Sequence, residues 1–252
     1  MKKPISPLLA TLLALAYLFL SVTILVGDWL YLISLIGAIV GLIFLRRGTV
    51  PGADEKKPVS PLQCFFSLLV GVGHSLCAVT IVYLLLLFQP PAFDEQAVEM
   101  LSTPLVVLGI AVAAPILEEY IFRGILLESY RRRMPFWLAA GLSALAFAVI
   151  HLNWQQGTHA FLLGIWTALL LWRTGRILYP ALAHIANNCC SAFSSLALTA
   201  LSQMLPVGAA LTLCMVCGLA LVAIGLAGVF RVEKRRAKLA AESPVPQPPE
   251  SV

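Results

Sequence analysis

The sequence predicts an all-α fold, a polytopic membrane bundle of about eight transmembrane helices. Three observations predict it. The chain is 60% hydrophobic and only 12% charged over its 252 residues, whereas a soluble domain carries about 25% charged residues. The apolar residues gather in long runs separated by short polar breaks, and a membrane span needs about 20 of them. The basic residues fall in small clusters between the runs, the pattern that orients a membrane protein. That clustering also excludes nucleic acid as the partner of the formal +5 charge.

The runs able to span are 8–26, 29–45, 62–88, 103–127, 135–152, 158–173, 177–200 and 205–230. Lys2 and Lys3 precede an apolar stretch too long for a signal-peptide core, so it reads as an uncleaved first span. Gly27-Asp28 is a tight turn, 46–61 a charged loop with Pro and Gly, and 89–99 an acidic loop with Pro. Arg131-Arg132-Arg133-Met134-Pro135 is a basic turn. The stretch 153–158, Thr174-Gly175-Arg176 and Met204-Leu205-Pro206 supply the remaining breaks. With the N-terminus in the cytoplasm, alternation places every Lys and Arg except Arg123 on the cytoplasmic side. Asp28, Asp94, Glu95 and Glu99 then lie outside. The expected location is the cell membrane, multi-pass, with both termini cytoplasmic.

This parse divides the chain into N-terminal transmembrane helices over 1–102, a four-span core over 103–200, a last span with its basic flank over 201–237, and a tail over 238–252. The tail is polar and rich in proline, a composition that predicts disorder. The six cysteines lie in or beside apolar runs and read as small buried hydrophobes. The string Cys214-x-x-Cys217 has no basic neighbour that would activate a thiol.

The core contains polar residues that no span needs for stability. Glu118, Glu119 and Arg123 sit within the run that begins near Leu101. An ionised group at mid-bilayer costs roughly 2.5–3.5 kcal/mol, so three cost on the order of 8–10 kcal/mol before pairing. Two later runs repeat the oddity with His151 and with His184 and Asn188. Glu118 and His151 are equidistant from the basic turn, so an antiparallel hairpin turning there brings them to one depth, about 25 Å along the helix from the turn. His184 and Asn188 are four apart and share a helix face, about 12 and 18 Å from Arg176. Glu119 and Arg123 share a face by the same rule and form an expected ion pair. Phe147 lies on the face of His151.

A carboxylate, two imidazoles and an amide around a polar cavity suit activation of water for attack on a carbonyl. Glu118 is then the general base, and Glu119 with Arg123 its orienting pair. His151 orients the water or shuttles its proton. His184 and Asn188 present N–H donors to the developing oxyanion. A second version places a divalent metal, zinc, on His151, His184 and Glu118, since two histidines and a carboxylate form a common zinc set. The sequence leaves both versions open.

Glu118-Glu119-x-x-x-Arg123, Phe147-x-x-x-His151 and His184-x-x-x-Asn188 resemble, in order, the three motifs of the CPBP family. These are the CAAX prenyl protease and bacteriocin-processing membrane proteins, also called the Abi family. The resemblance covers 103–200 and implies a glutamate-dependent intramembrane peptidase whose metal requirement is disputed. It implies a peptide or lipidated protein as substrate, in contact with membrane lipid. The short chain looks more like a bacterial branch, in the inner membrane. A proton-coupled transporter and a non-catalytic membrane scaffold are the competing classes. His159 reads as an interfacial residue beside an external turn. His74, alone in its run, reads as an interhelical histidine. Trp154, Trp166 and Trp172 suit interface or packing positions.

Overall fold

The computed structural model describes residues 58–88 and 104–242, with Ser6, Leu9, Leu12, Ala16 and Ile36 nearer the N-terminus. The expected spans 8–26 and 29–45, the acidic loop 89–99 and the end of the tail lie outside the described stretches. The two described stretches are entirely helical apart from short connections. Helix α1 is Pro61–Leu86 and α2 is Pro104–Arg131. Then follow α3 Phe136–Val149, α4 Trp154–Thr174, α5 Leu178–Met204 and α6 Val207–Glu242.

The helix ends follow local chemistry. Ser60 caps α1, its hydroxyl accepting from the Gln63 N–H at 3.4 Å, with Pro61 in the first turn. Asn153 caps α4 by accepting from the Gln156 N–H at 2.9 Å. This cap starts α4 at Trp154, so most of the expected 153–158 turn is already helix. Gly175 ends α4 at φ 71°, a left-handed conformation that glycine adopts without strain.

Three of these helices, α1, α2 and α6, are long and apolar enough to cross a membrane. Helix α3 is apolar but 14 residues long. Helices α4 and α5 have 21 and 27 residues, but His159, Thr167, His184, Asn187 and Asn188 dilute their hydropathy. The described residues therefore show three candidate spans, against the eight expected from apolar runs over the whole chain.

Helix α6 also differs from expectation at its end. It continues through the basic cluster to Glu242, beyond Lys238 where the sequence reading begins the tail. The stretch Lys238-Leu239-Ala240-Ala241-Glu242 consists of good helix formers. The flank is also tied to the start of α1. Gln63 Nε2 donates to Glu233 at 3.0 Å, and Arg236 donates to Gln63 Oε1 at 3.0 Å and to the Pro58 carbonyl at 2.6 Å.

Helix α1 packs between α5 and α6, and α3 packs along α4. The approach of α1 to α6 needs glycine. A Cβ on Gly73 would lie 2.6 Å from the Gly218 carbonyl oxygen, and one on Gly218 would lie 2.6 Å from Cys77 Sγ. Small residues bring helix backbones together where lipid gives no hydrophobic drive. Gly73→Leu is expected to cost at least about 1–3 kcal/mol through overpacking. Gly141→Leu, where a Cβ meets nothing within 4 Å, serves as the control. Thermal unfolding of the two variants in detergent checks this, and equal midpoints would contradict the packing argument.

Candidate active site

The site is built on an irregular helix. Within α2 the turns Gly109–Ala113 and Glu119–Leu127 are π-helical, with wide i→i+5 spacing. Such turns are frequent at functional sites. Pro115 shapes the first one. The Ala114 N–H bonds to the Gly109 carbonyl. The next N–H in that register would belong to Pro115, which has none. The Ile110 carbonyl instead accepts from Asn188 Nδ2 at 3.0 Å. One amide hydrogen of Asn188 is thereby committed to joining α5 to α2. Its Oδ1 accepts from Asn187 Nδ2 at 2.9 Å.

Glu118 and Glu119 lie where the second wide turn begins, and both reach His184. Glu119 Oε1 is 3.0 Å from His184 Nδ1, and Glu118 Oε2 is 3.6 Å from His184 Nε2. The imidazole thus stands between two carboxylates. Glu119 is fully buried, and its other oxygen lies 3.2 Å from Arg123 Nε. The expected i,i+4 ion pair is present. Glu118 differs: its side chain is 13% exposed and its approach to His184 is longer.

Arg123 has no solvent exposure. Its Nε donates to Thr167 Oγ1 at 2.8 Å, and its guanidinium lies 4.5 Å from the centre of the Phe147 ring. Gly164 makes room for it, since a Cβ there would lie 3.1 Å from Arg123 Nη2. Phe147 is the common wall of the site. Its ring meets His151 and His184 edge-on at 4.9 and 5.4 Å. His151 follows the end of α3 and bonds through Nδ1 to the Phe147 carbonyl at 2.8 Å. Leu152, at φ 50°, then turns the chain away. A leucine rarely adopts this left-handed conformation, and here it leaves His151 at the helix tip.

Glu118, Glu119, Arg123 and His184 are therefore joined directly. His151 adjoins them across Phe147, and Asn188 reaches the same helix at Ile110. Sequence reasoning missed Thr167 and Gly164, whose three-residue spacing on α4 was the available signal. It also separated two histidines that the fold brings together. His159 and His74 are paired, with ring centres 6.0 Å apart.

The donor chemistry for zinc is partly in place. Both candidate histidines are anchored through Nδ1, to Glu119 and to the Phe147 carbonyl, as zinc ligands commonly are. The set does not close, however. Among the described residues no three His, Cys, Asp or Glu side chains are placed to hold one ion. As arranged, they do not fit a resident metal, and no step below uses one.

Residues 100–190 match the Rce1-like, type II CAAX prenyl endopeptidase family. This segment belongs to that family. The Rce1-like segment runs through α2, α3 and α4 into α5 and contains all seven residues named in the motifs. An "Uncharacterized 24.3 kDa protein" of Escherichia coli is 36% identical over 103 residues, 39% of this chain and 46% of that protein. "Putative membrane peptidase YdiL" of Bacillus subtilis (strain 168) is 26% identical over 170 residues, 64% of this chain and 69% of that protein. The chain thus spans about half the length of the first relative and about two thirds of the second. No solved structure matches it.

Proposed function

We propose that the chain is an intramembrane endopeptidase that hydrolyses a peptide bond in a membrane-associated or lipidated substrate. The observation that carries this reading is the unequal burial of two glutamates that reach one histidine, Glu118 13% exposed and Glu119 fully buried. Glu119 is held from both sides by His184 and Arg123, and so is suited to fixing geometry. Glu118 retains some exposure at the same histidine, and so is suited to taking a proton from water. Glu118 acts as the base, and its activated water attacks the scissile carbonyl. His151, anchored through Nδ1, turns its other ring nitrogen to the water or to the leaving amine. His184 and the second amide hydrogen of Asn188 stabilise the oxyanion. The family match and the name of the Bacillus subtilis relative support a peptidase. The charge pattern of the whole sequence supports eight spans with both termini cytoplasmic, and the resemblance to a bacterial branch supports the inner membrane.

The test is a comparison of membrane peptides by mass spectrometry from cells with and without the chain. A peptide whose processing follows the chain supports the reading and identifies the substrate. Unchanged peptides, with the chain expressed and inserted, would favour a scaffold. The metal-free mechanism has its own check. Treatment of the purified protein with a strong zinc chelator is expected to leave processing of that peptide unchanged. Loss of processing, restored by zinc, would move Glu118, His151 and His184 into the role of ligands.

A further inference from the structure

The chain has four histidines, and the helices bring all of them to one region. His184 and His151 form part of the site described above. His74 on α1 lies in Coulombic range of His184, and His159 on α4 in range of both His151 and His184. The site assigns no role to this second pair. His74 is 1% exposed. Its Nε2 and His159 Nδ1 are buried and make no hydrogen bond within the described residues. A buried polar group without a partner costs about 1–3 kcal/mol, so two such nitrogens on neighbouring rings mark a place for a ligand.

We propose that His74 and His159 hold an ordered water molecule that supplies the hydrolytic site. The inference rests on the hydrolase reading. Distance identifies the ligand. A direct ring-to-ring hydrogen bond of about 2.9 Å puts the ring centres at most about 5.2 Å apart. The observed 6.0 Å is too long for that. One water accepting from or donating to both rings, along two bent legs, sets the centres roughly 6–7 Å apart. A buried water needs two to four polar partners, and the two imidazoles provide the first two. A metal would need further ligands, and among the described residues no third side chain of a suitable type is placed to join them.

The chemistry draws on such a supply. Each cleavage consumes one water. An O–H bond breaks as Glu118 takes the proton, a C–O bond forms to the scissile carbon, the C–N bond breaks, and the proton passes to the leaving amine. A pair of imidazoles beside the catalytic histidines keeps one water in place without taking part in any covalent step.

The experiment is X-ray hydroxyl-radical footprinting of the purified full-length chain in 18O-labelled water, read by mass spectrometry. Phe147 has no solvent exposure, so labelling there reports internal water. The expected result is clear 18O labelling of Phe147 in the wild type. It should fall several-fold in His74→Phe and in His159→Leu and persist in His74→Gln, which keeps a polar N–H. Labelling of exposed Trp137 should not change. An unlabelled Phe147 in the wild type, whatever the variants do, overturns the proposal. So does equal labelling in folded His159→Leu. Stoichiometric zinc, lost in both apolar variants, would make the pair a metal site instead. Glu118→Gln should retain the label. If Glu118→Gln still cleaved substrate, the hydrolase mechanism would fail while the water site stood.

Discussion

Glu118→Gln is expected to lower peptide cleavage by about 10²–10⁴-fold, the usual contribution of a positioned general base. The exchange keeps the length and shape of the side chain and one oxygen near His184 Nε2. It removes the ability to accept a proton from water. Because the step lost is chemical, kcat should fall while KM changes little. The protein should insert and unfold as the wild type does, since Glu118 is not the glutamate locked to Arg123. Glu119→Gln should behave differently. It weakens the contacts to both His184 and Arg123, so activity and stability should fall together. Steady-state kinetics on a processed peptide, paired with thermal unfolding in detergent, separates the two variants. Wild-type kcat in Glu118→Gln would remove Glu118 as the base. An inactive but fully stable Glu119→Gln would suggest that the two glutamates exchange roles.

The contrast between these glutamates shows what sequence can and cannot resolve. The spacing of Glu119 and Arg123 is enough to foresee their pairing, because an i,i+4 contact depends only on the helix carrying it. The shared face of Phe147 and His151 follows in the same way, and the two rings do meet. The depth argument from the basic turn puts Glu118 and His151 at one level, the helical rise from Arg176 puts His184 near it, and in the structure Glu118 and His184 approach to 3.6 Å. Contacts between distant helices were less legible. Thr167 reaches Arg123 from 44 residues away, and a threonine in an apolar run usually bonds its own helix. His74 and His159 looked isolated because their pairing depends on where α1 packs against α4. The start of α4 was misread for a local reason. Asn153, Gln155, Gln156 and Gly157 suggest a polar turn, but the Asn153 cap converts most of them into the first helical turn. Asn188 shows the opposite case. Its place was foreseen, but its bond to Ile110 depends on a carbonyl that only a wide turn ahead of Pro115 leaves without an N–H.

Arg123→Met is expected to destabilise the folded protein by about 3–5 kcal/mol, the usual cost of removing one partner from a buried ion pair. The guanidinium makes three contacts that methionine cannot replace: Glu119 at 3.2 Å, Thr167 at 2.8 Å and the face of Phe147 at 4.5 Å. The larger part of the loss comes from Glu119, left buried with His184 as its remaining side-chain partner. Removing both charges should therefore be milder than removing one. Glu119→Gln/Arg123→Met is expected to recover a large share of the loss, with a coupling between the two sites of about 0.5–3 kcal/mol. Arg123→Lys should not rescue the single variant. A lysine ammonium lacks both the Nε that lies against Glu119 and Thr167 and the planar face that lies over an aromatic ring. Thr167→Val tests the remaining contact and should cost less, about 1.5–3 kcal/mol for a hydrogen bond to a charged donor. Unfolding of these four variants and of Glu119→Gln in detergent measures the cycle. If Arg123→Met unfolded like the wild type, the guanidinium would not be supporting Glu119. Its burial would then have to serve the substrate, because a fully buried arginine with no structural return is too costly for the fold to retain.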